Sequence, residues 1–219
     1  MLEYNKTHNL TAITEENDVI FKHYLDSLLG LLVFEEYFKK STYQQINNKE
    51  NNQIKTNTSI NNGNNKNLNG NILNKIIDIG AGAGFPSIPL CIANDNLNIT
   101  ALDSVNKKTN FINLAKNEYN LNNLSVINGR IEDLAKKSEH RQQYDYVISR
   151  AVAELPTLLE YCAPMLKNNG KIIAYKGSNY INELDKSKNA LKLLNCTLEK
   201  VYEFYIEEID IFPFILETF

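Results

Sequence analysis

The chain has 219 residues, 43% hydrophobic and 22% charged, which suits one globular α/β domain with extensions. A net charge of −3 and a pI near 5.7 argue against broad, non-specific nucleic-acid binding, while leaving room for a basic patch on one face. Cys91, Cys162 and Cys196 show no metal-ligand spacing, no apolar run is long enough to span a bilayer and Met1 opens no signal peptide, so a cytoplasmic protein with reduced thiols is expected.

In chain order, residues 4–13 read as a polar, turn-rich opening with little periodicity. Thr14 offers an N-cap, followed by Glu15, Glu16 and Asp18, which favour the positive end of a helix dipole. From there to about Lys40, Ile20, Phe21, Tyr24, Leu25, Leu28, Leu29 and Leu32 recur at helical steps. Lys22, His23, Asp26 and Ser27 gather on another side of that helix. Residues 41–74 are dominated by asparagine and cannot build a core, so a disordered insertion is expected. The chain thus divides into an N-terminal helical extension (1–40), the Asn-rich insertion (41–74) and a main domain (75–219).

Residues 75–90, KIIDIGAGAGFPSIPL, organise that domain. Apolar residues around Asp78 end in Gly80, Gly82 and Gly84, and the segment from Ile88 to Ala93 opens a helix, with Pro86 suited to its first turn. Strand, glycine turn and helix form the first crossover of a nucleotide-binding sheet. A dinucleotide site wants a third glycine where Phe85 stands, so an NAD-dependent oxidoreductase is disfavoured. The G-x-G-x-G pattern, with an acid two residues before it, instead resembles the S-adenosylmethionine (SAM) loop of class I methyltransferases. A second strand at 98–102 ends in Asp103, about 20 residues past the last glycine, where an acid can accept bonds from ribose hydroxyls.

Further on, 107–120 reads as a helix, 124–128 as a strand, 134–140 as a short helix and 144–149 as a strand ending at Arg150. Residues 155–167 read as helical with Gly170 as C-cap, 171–176 as a strand and 181–194 as the last helix. Residues 198–207 and 212–218 read as a final antiparallel pair. The alternation predicts an α/β fold with a largely parallel sheet, whose ligands sit beyond the carboxyl ends of the strands. Gly80 to Phe85, Asp103, Ile131-Glu132, Arg150 and Lys176-Gly177 all fall at such ends.

Asn9-Leu10-Thr11-Ala12-Ile13, Lys22-His23 with Asp26-Ser27, the Asp78–Leu90 turn, Leu102-Asp103-Ser104, Gly129-Arg130-Ile131-Glu132, Ile148-Ser149-Arg150-Ala151 and Lys176-Gly177 follow one another in order. Together they resemble the ribosomal RNA small subunit methyltransferase G family, also called glucose-inhibited division protein B; the Asn-rich insertion lies outside its pattern. The resemblance implies a Rossmann-like class I methyltransferase fold, a mostly parallel seven-stranded sheet with an antiparallel C-terminal strand and helices on both faces. It implies methylation of N7 of a guanine in 16S ribosomal RNA, with SAM as cofactor, S-adenosylhomocysteine as product and no metal. It places cofactor contacts at Gly80, Phe85, Ile131, Glu132 and Arg150, and the expected partner is small-subunit RNA or its particle, met by a monomer.

On the residues themselves, Asp78 and the backbone of Gly80, Gly82 and Gly84 are expected to hold the amino-acid end of SAM, Asp103 the ribose, and Ile131 and Glu132 the adenine. Arg150 is expected to bridge cofactor and substrate or to hold a phosphate. Asn9, His23, Asp26, Arg150 and Lys176 are the substrate-side candidates, Asp26 for the guanine Watson–Crick edge. Lys6, His8, Lys22, His23 and Lys176 form a modest basic rim for RNA backbone. Two competing readings are a SAM methyltransferase acting on a small molecule or protein, and a SAM- or RNA-binding protein without turnover.

Overall fold

A computed structural model describes residues 1–34 and 74–204, and the backbone of residues 214–218. The strands are β1 (Lys75–Ile79), β2 (Asn98–Asp103), β3 (Leu124–Asn128), β4 (Tyr144–Arg150), β5 (Leu166–Lys176), β6 (Leu198–Glu203) and β7 (Phe214–Thr218). They form one seven-stranded sheet in the order β3-β2-β1-β4-β5-β7-β6. β1 to β5 pair in parallel, and β7 runs antiparallel to both of its neighbours. The chain lays down β1, β2 and β3 outward in one direction and then crosses back to place β4 on the other side of β1. The crevice at that reversal is where sheets of this kind receive ligands.

Alternation along β1 builds the two layers. Ile76 joins a core with Val33, Phe34, Leu90, Cys91 and Ile112, while Ile77 and Ile79 join one with Leu155, Leu158, Leu159 and Cys162. The first layer holds α3 (Ser87–Ala93), α4 (Asn106–Glu118) and helical residues 26–34; the second holds α5 (Ile131–Leu134), α6 (Leu155–Cys162), α7 (Tyr180–Lys186) and α8 (Lys188–Leu193). Each such fully buried aliphatic side chain contributes about 2 kcal/mol. Helical residues 26–34 approach the sheet closely because Gly30 has no side chain: a Cβ there would stand 1.9 Å from the Tyr175 hydroxyl. That hydroxyl donates to Ser27 O at 3.0 Å. Cys91 and Cys162 are core residues whose thiols burial pushes up, that of Cys91 to about 12.

Several local expectations change. The chain opens not on irregular turns but on α1 (Leu2–His8), stabilised by the stacking of Tyr4 on His8 and by Tyr4 against Phe111. Glu15, rather than Thr14, is the N-cap of α2 (Glu16–Val19), and no side chain caps that helix. α2 runs into a π-helical segment, Ile20–Leu25, and then into helical residues 26–34. The short helix expected at 134–140 is instead Ile131–Leu134. α6 ends at Cys162 because Pro164 lacks the N–H that would continue it; a 3-10 turn comes next, and Gly170 lies inside β5 instead of capping a helix. The last helix is broken at the fully buried Ser187, whose hydroxyl donates to Glu183 O at 2.6 Å. The expected insertion at 41–74 lies outside the described residues apart from Asn74, and the span 205–213 does so entirely.

Candidate active site

The glycine turn leaves β1 with Gly80 at φ 69° and Gly82 at φ 59°, backbone that a side chain would strain. A Cβ on Gly80 would stand 2.4 Å from Val152 Cγ2, so the turn lies directly against the loop after β4. Gly82 donates its N–H to Asp103 Oδ2 at 2.8 Å, and Val105 N donates to Oδ1 at 2.8 Å. Asp103 therefore clamps the turn to the end of β2 while each oxygen keeps a second lone pair.

Gly80, Asp103, Ser104, Gly129, Arg130, Ile131, Glu132, Val152 and Tyr161 line a cavity of about 240 Å³. Three of the expected adenosine contacts, Asp103, Ile131 and Glu132, are thus brought together with Gly80. Asp78 lies beneath the turn and is fully buried. Its Oδ2 accepts from Ser87 Oγ at 2.5 Å, its Oδ1 has no partner, and burial raises its pKa to about 7 against the opposing effect of the Ser87 bond. An orphaned buried carboxylate oxygen under a turn of bare backbone, beside a cavity with a clamped acid, fits an adenosine cofactor with a charged amino-acid end.

A second cavity, of about 700 Å³, opens over the ends of β4 and β5. Lys22, His23 and Asp26 form one wall and Glu183 of α7 lies on its border; Arg150 to Glu154 and Tyr175 to Gly177 complete it. Val152 belongs to both cavities. Ala151 holds φ 56°, a left-handed conformation costing about 1–2 kcal/mol for a residue with a Cβ. Lys176 Nζ secures that loop by donating to Ala153 O and Glu183 Oε2, both at 2.7 Å.

Arg150 knits the N-terminal segment to the sheet. Nη1 donates to Lys22 O at 3.0 Å and Asp26 Oδ2 at 2.8 Å, and Nη2 donates to His23 Nδ1 at 2.5 Å. Arginine only donates, so His23 Nδ1 accepts and its proton sits on Nε2, 2.9 Å from the Thr11 hydroxyl. Burial first, and the Arg150 charge second, lower the His23 pKa to about 4. Burial raises the pKa of Asp26, which the Arg150 charge partly offsets.

Other expected contacts fall elsewhere. Phe85 lines neither of these cavities; it lies in a small cluster with Leu10 and Ala83 and borders a separate apolar cavity of about 240 Å³ with Tyr4, Tyr24 and Phe111. Asn9 is exposed and ends α1 at φ 45°, a turn role, and it borders none of the three cavities. The buried Asn5 makes the linking bonds instead: its Oδ1 accepts from Leu10 N and Thr11 N, and its Nδ2 donates to Thr11 O. Lys6 pairs with Glu3 and Lys22 with Asp18, both at exposed positions. Asn5, Thr11, Val152, Tyr175 and Glu183 escaped sequence reasoning, and only the L-T of the N-L-T segment carried any local signal for one of them. Among the described residues no group of three or more His, Cys, Asp or Glu could hold a metal, and no helix is long and apolar enough to cross a membrane.

Strand order, glycine turn and strand-end acid define a class I SAM-dependent methyltransferase fold. Solved structures with this fold include M. jannaschii TYW2 in complex with AdoMet, with a TM-score of 0.53 and 18% identity over 66% of this chain and 67% of that one. A SAM-dependent methyltransferase from Aquifex aeolicus gives 0.51 and 15% over 66% and 81%. A family model described as rRNA small subunit methyltransferase G matches residues 43–210. Proteins named ribosomal RNA small subunit methyltransferase G are similar along almost the whole chain. The one from Clostridium tetani is 37% identical over 209 residues, 95% of this chain and 73% of the relative; that from Desulforamulus reducens is 35% identical over 210 residues, 96% and 73%. The chain belongs to the rRNA small subunit methyltransferase G family.

Proposed function

We propose that this protein transfers a methyl group from SAM to N7 of a guanine in small-subunit ribosomal RNA. The observation that carries the reading is the pair of cavities meeting at Val152, one over the glycine turn and Asp103, the other over the ends of β4 and β5. The names of the curated relatives support the substrate. Bound SAM supplies an electrophilic sulfonium methyl.

Asp103 and the backbone of the turn would hold the ribose, Ile131 and Glu132 the adenine, and Gly80 with the region above Asp78 the amino-acid end. N7 of guanine carries a free lone pair at neutral pH, so the site needs alignment and a favourable field rather than a general base. The second cavity suits that demand. His23 is neutral with both ring nitrogens engaged, and Arg150 is locked on three acceptors. Methylation at N7 leaves a positive charge on the purine, which the carboxylates of Asp26 and Glu183 at the cavity border oppose favourably.

The test is transfer of tritiated methyl from SAM to small ribosomal subunits lacking their own modifications, followed by nucleoside analysis. Labelled 7-methylguanosine is expected; label in another nucleoside, or none alongside measured SAM binding, would overturn the reading.

A further inference from the structure

Two charged pairs border the larger cavity, and each keeps hydrogen-bonding capacity. Lys176, at the end of β5, lies one strand farther from the glycine turn than Arg150 at the end of β4, and with Glu183 it forms the outer pair. The side chains are only 8% and 15% exposed, so both groups are largely withdrawn from bulk water. Lys176 Nζ makes two hydrogen bonds, to Ala153 O and to Glu183 Oε2. An ammonium has three donors, so one N–H is left. Glu183 accepts from Lys176 and from Leu155 N through Oε2 alone, which leaves Oε1 as an acceptor. A donor and an acceptor therefore stand side by side at the cavity border.

Guanine presents the complement, an O6 acceptor beside an N1–H donor; adenine presents the reverse, an amino donor beside an N1 acceptor. N7 and O6 share one edge of guanine, and O6 also belongs to the Watson–Crick edge, whose N1–H points roughly at right angles to the N7 lone pair. If N7 faces the cofactor side, marked by Gly80, O6 and N1–H turn sideways from it along the strand ends, where the pair at the end of β5 can meet them. Arg150, at the end of β4 beside β1, and Asp26, which accepts from it, are on the near side. We propose that Lys176 and Glu183 read the O6/N1–H edge of the target guanine, with Lys176 donating to O6 and Glu183 Oε1 accepting from N1–H. The inference rests on the guanine-N7 reading above and deepens it. Because the same pair holds Ala153 and Leu155, edge recognition and the placement of Val152 between the cavities share one anchor.

The experiment titrates the protein, saturated with S-adenosylhomocysteine, with GMP, IMP, 1-methyl-GMP and AMP, following binding by NMR. GMP and IMP share the O6/N1–H pattern and are expected to bind roughly ten- to a hundredfold more tightly than AMP. 1-Methyl-GMP lacks the N1 donor and is expected to fall with AMP. Glu183→Gln keeps an acceptor for Leu155 N and Lys176 but turns its free end into a donor, so it is expected to lose the preference while still binding S-adenosylhomocysteine. Equal binding of GMP and 1-methyl-GMP by the unaltered protein overturns the proposal without any variant. So does a preference that survives in Glu183→Gln, or one that vanishes in Asp26→Asn instead. Methylated subunits with no GMP preference would sink edge reading alone; a GMP preference without labelled 7-methylguanosine would sink the transfer reading alone.

Discussion

The imidazole of His23 lies flat on the ring of Phe85, with centroids 4.6 Å apart and planes 13° apart. Tyr24 meets the same ring edge-on at 5.1 Å. The residue that occupies the third-glycine position of a dinucleotide loop thus acts as the socket for the π-helical segment. Replacing it with alanine removes both aromatic contacts and leaves a void beside Leu10 and Ala83. Phe85→Ala is expected to lower stability by roughly 3 kcal/mol, read as a shift of the urea midpoint at constant slope.

His23 and Asp78 set opposing pH dependences. The pKa of His23 is lowered from 6.5 to about 4, so the unfolded chain binds the extra proton in that window and stability falls as pH drops through it. The pKa of Asp78 is raised from 3.8 to about 7, so the folded chain keeps a proton that the unfolded one loses, and stability falls as pH rises through that window. The two slopes oppose each other between about pH 4 and pH 6.5. Urea unfolding across this range should show a more steeply falling curve with rising pH for His23→Gln, and a more steeply rising one for Asp78→Asn, each relative to the unaltered protein. Parallel curves for all three proteins would show that neither group titrates as described.

Asp103 serves the fold before it serves a ligand. Asp103→Ala leaves Gly82 N and Val105 N without their acceptor, at a cost of about 1–3 kcal/mol for each that stays buried. Isothermal titration should therefore show a SAM affinity lowered at least about tenfold, together with a lower melting temperature. Unchanged SAM affinity would remove Asp103 from the cofactor site.

Gly80 and Val152 can be tested as a pair. Gly80→Ala meets two obstacles, a positive φ and a Cβ 2.4 Å from Val152 Cγ2. Val152→Ala relieves only the second. A double-mutant cycle is expected to give a favourable coupling of about 1–2 kcal/mol, leaving a residual loss of about 1 kcal/mol from the left-handed backbone. Additive losses would mean that the two loops move apart independently.

Breaking the Arg150–Asp26 pair should be asymmetric. Arg150→Ala strands a carboxylate whose charge burial already disfavours and frees the Lys22 carbonyl and His23, whereas Asp26→Asn keeps an oxygen for Arg150. Arg150→Ala is expected to cost about 2–3 kcal/mol more in stability and to lower methyl transfer further, measured on the same subunit substrate.

The parts of this arrangement legible in the sequence are those written locally. Strand, glycine turn and helix lie within sixteen letters of each other, and the spacing from Gly84 to Asp103 reflects one βαβ unit. Strand ends can therefore be assigned to a common crevice from the amino-acid order alone. Side chains whose work depends on distant partners are not legible in that way. Asn9 stands in the motif, yet Asn5 does the linking, because its amide reaches Leu10 and Thr11 only once α1 has formed. α1 itself packs through Tyr4 on Phe111, far along the chain. Lys176 reads as rim charge, and its capture by Glu183 results from where α7 comes to lie over β5. Gly170 reads as a cap because glycine ends helices and bends strands equally well.

The π-helical segment carries a consequence for phase. Each residue turns an α-helix by about 100°, and a π-turn accommodates roughly one residue more than an α-turn. Removing one residue from Ile20–Leu25 would regularise the spiral, leave α2 and residues 26–34 in phase, and re-aim the side chains inside the segment. Helical residues 26–34 are fixed to the sheet through Gly30 and Tyr175, so the re-aiming would fall on Lys22 and His23 within the segment. The shortened helix would have the more regular ladder, and the Arg150 guanidinium would lose two of its three acceptors.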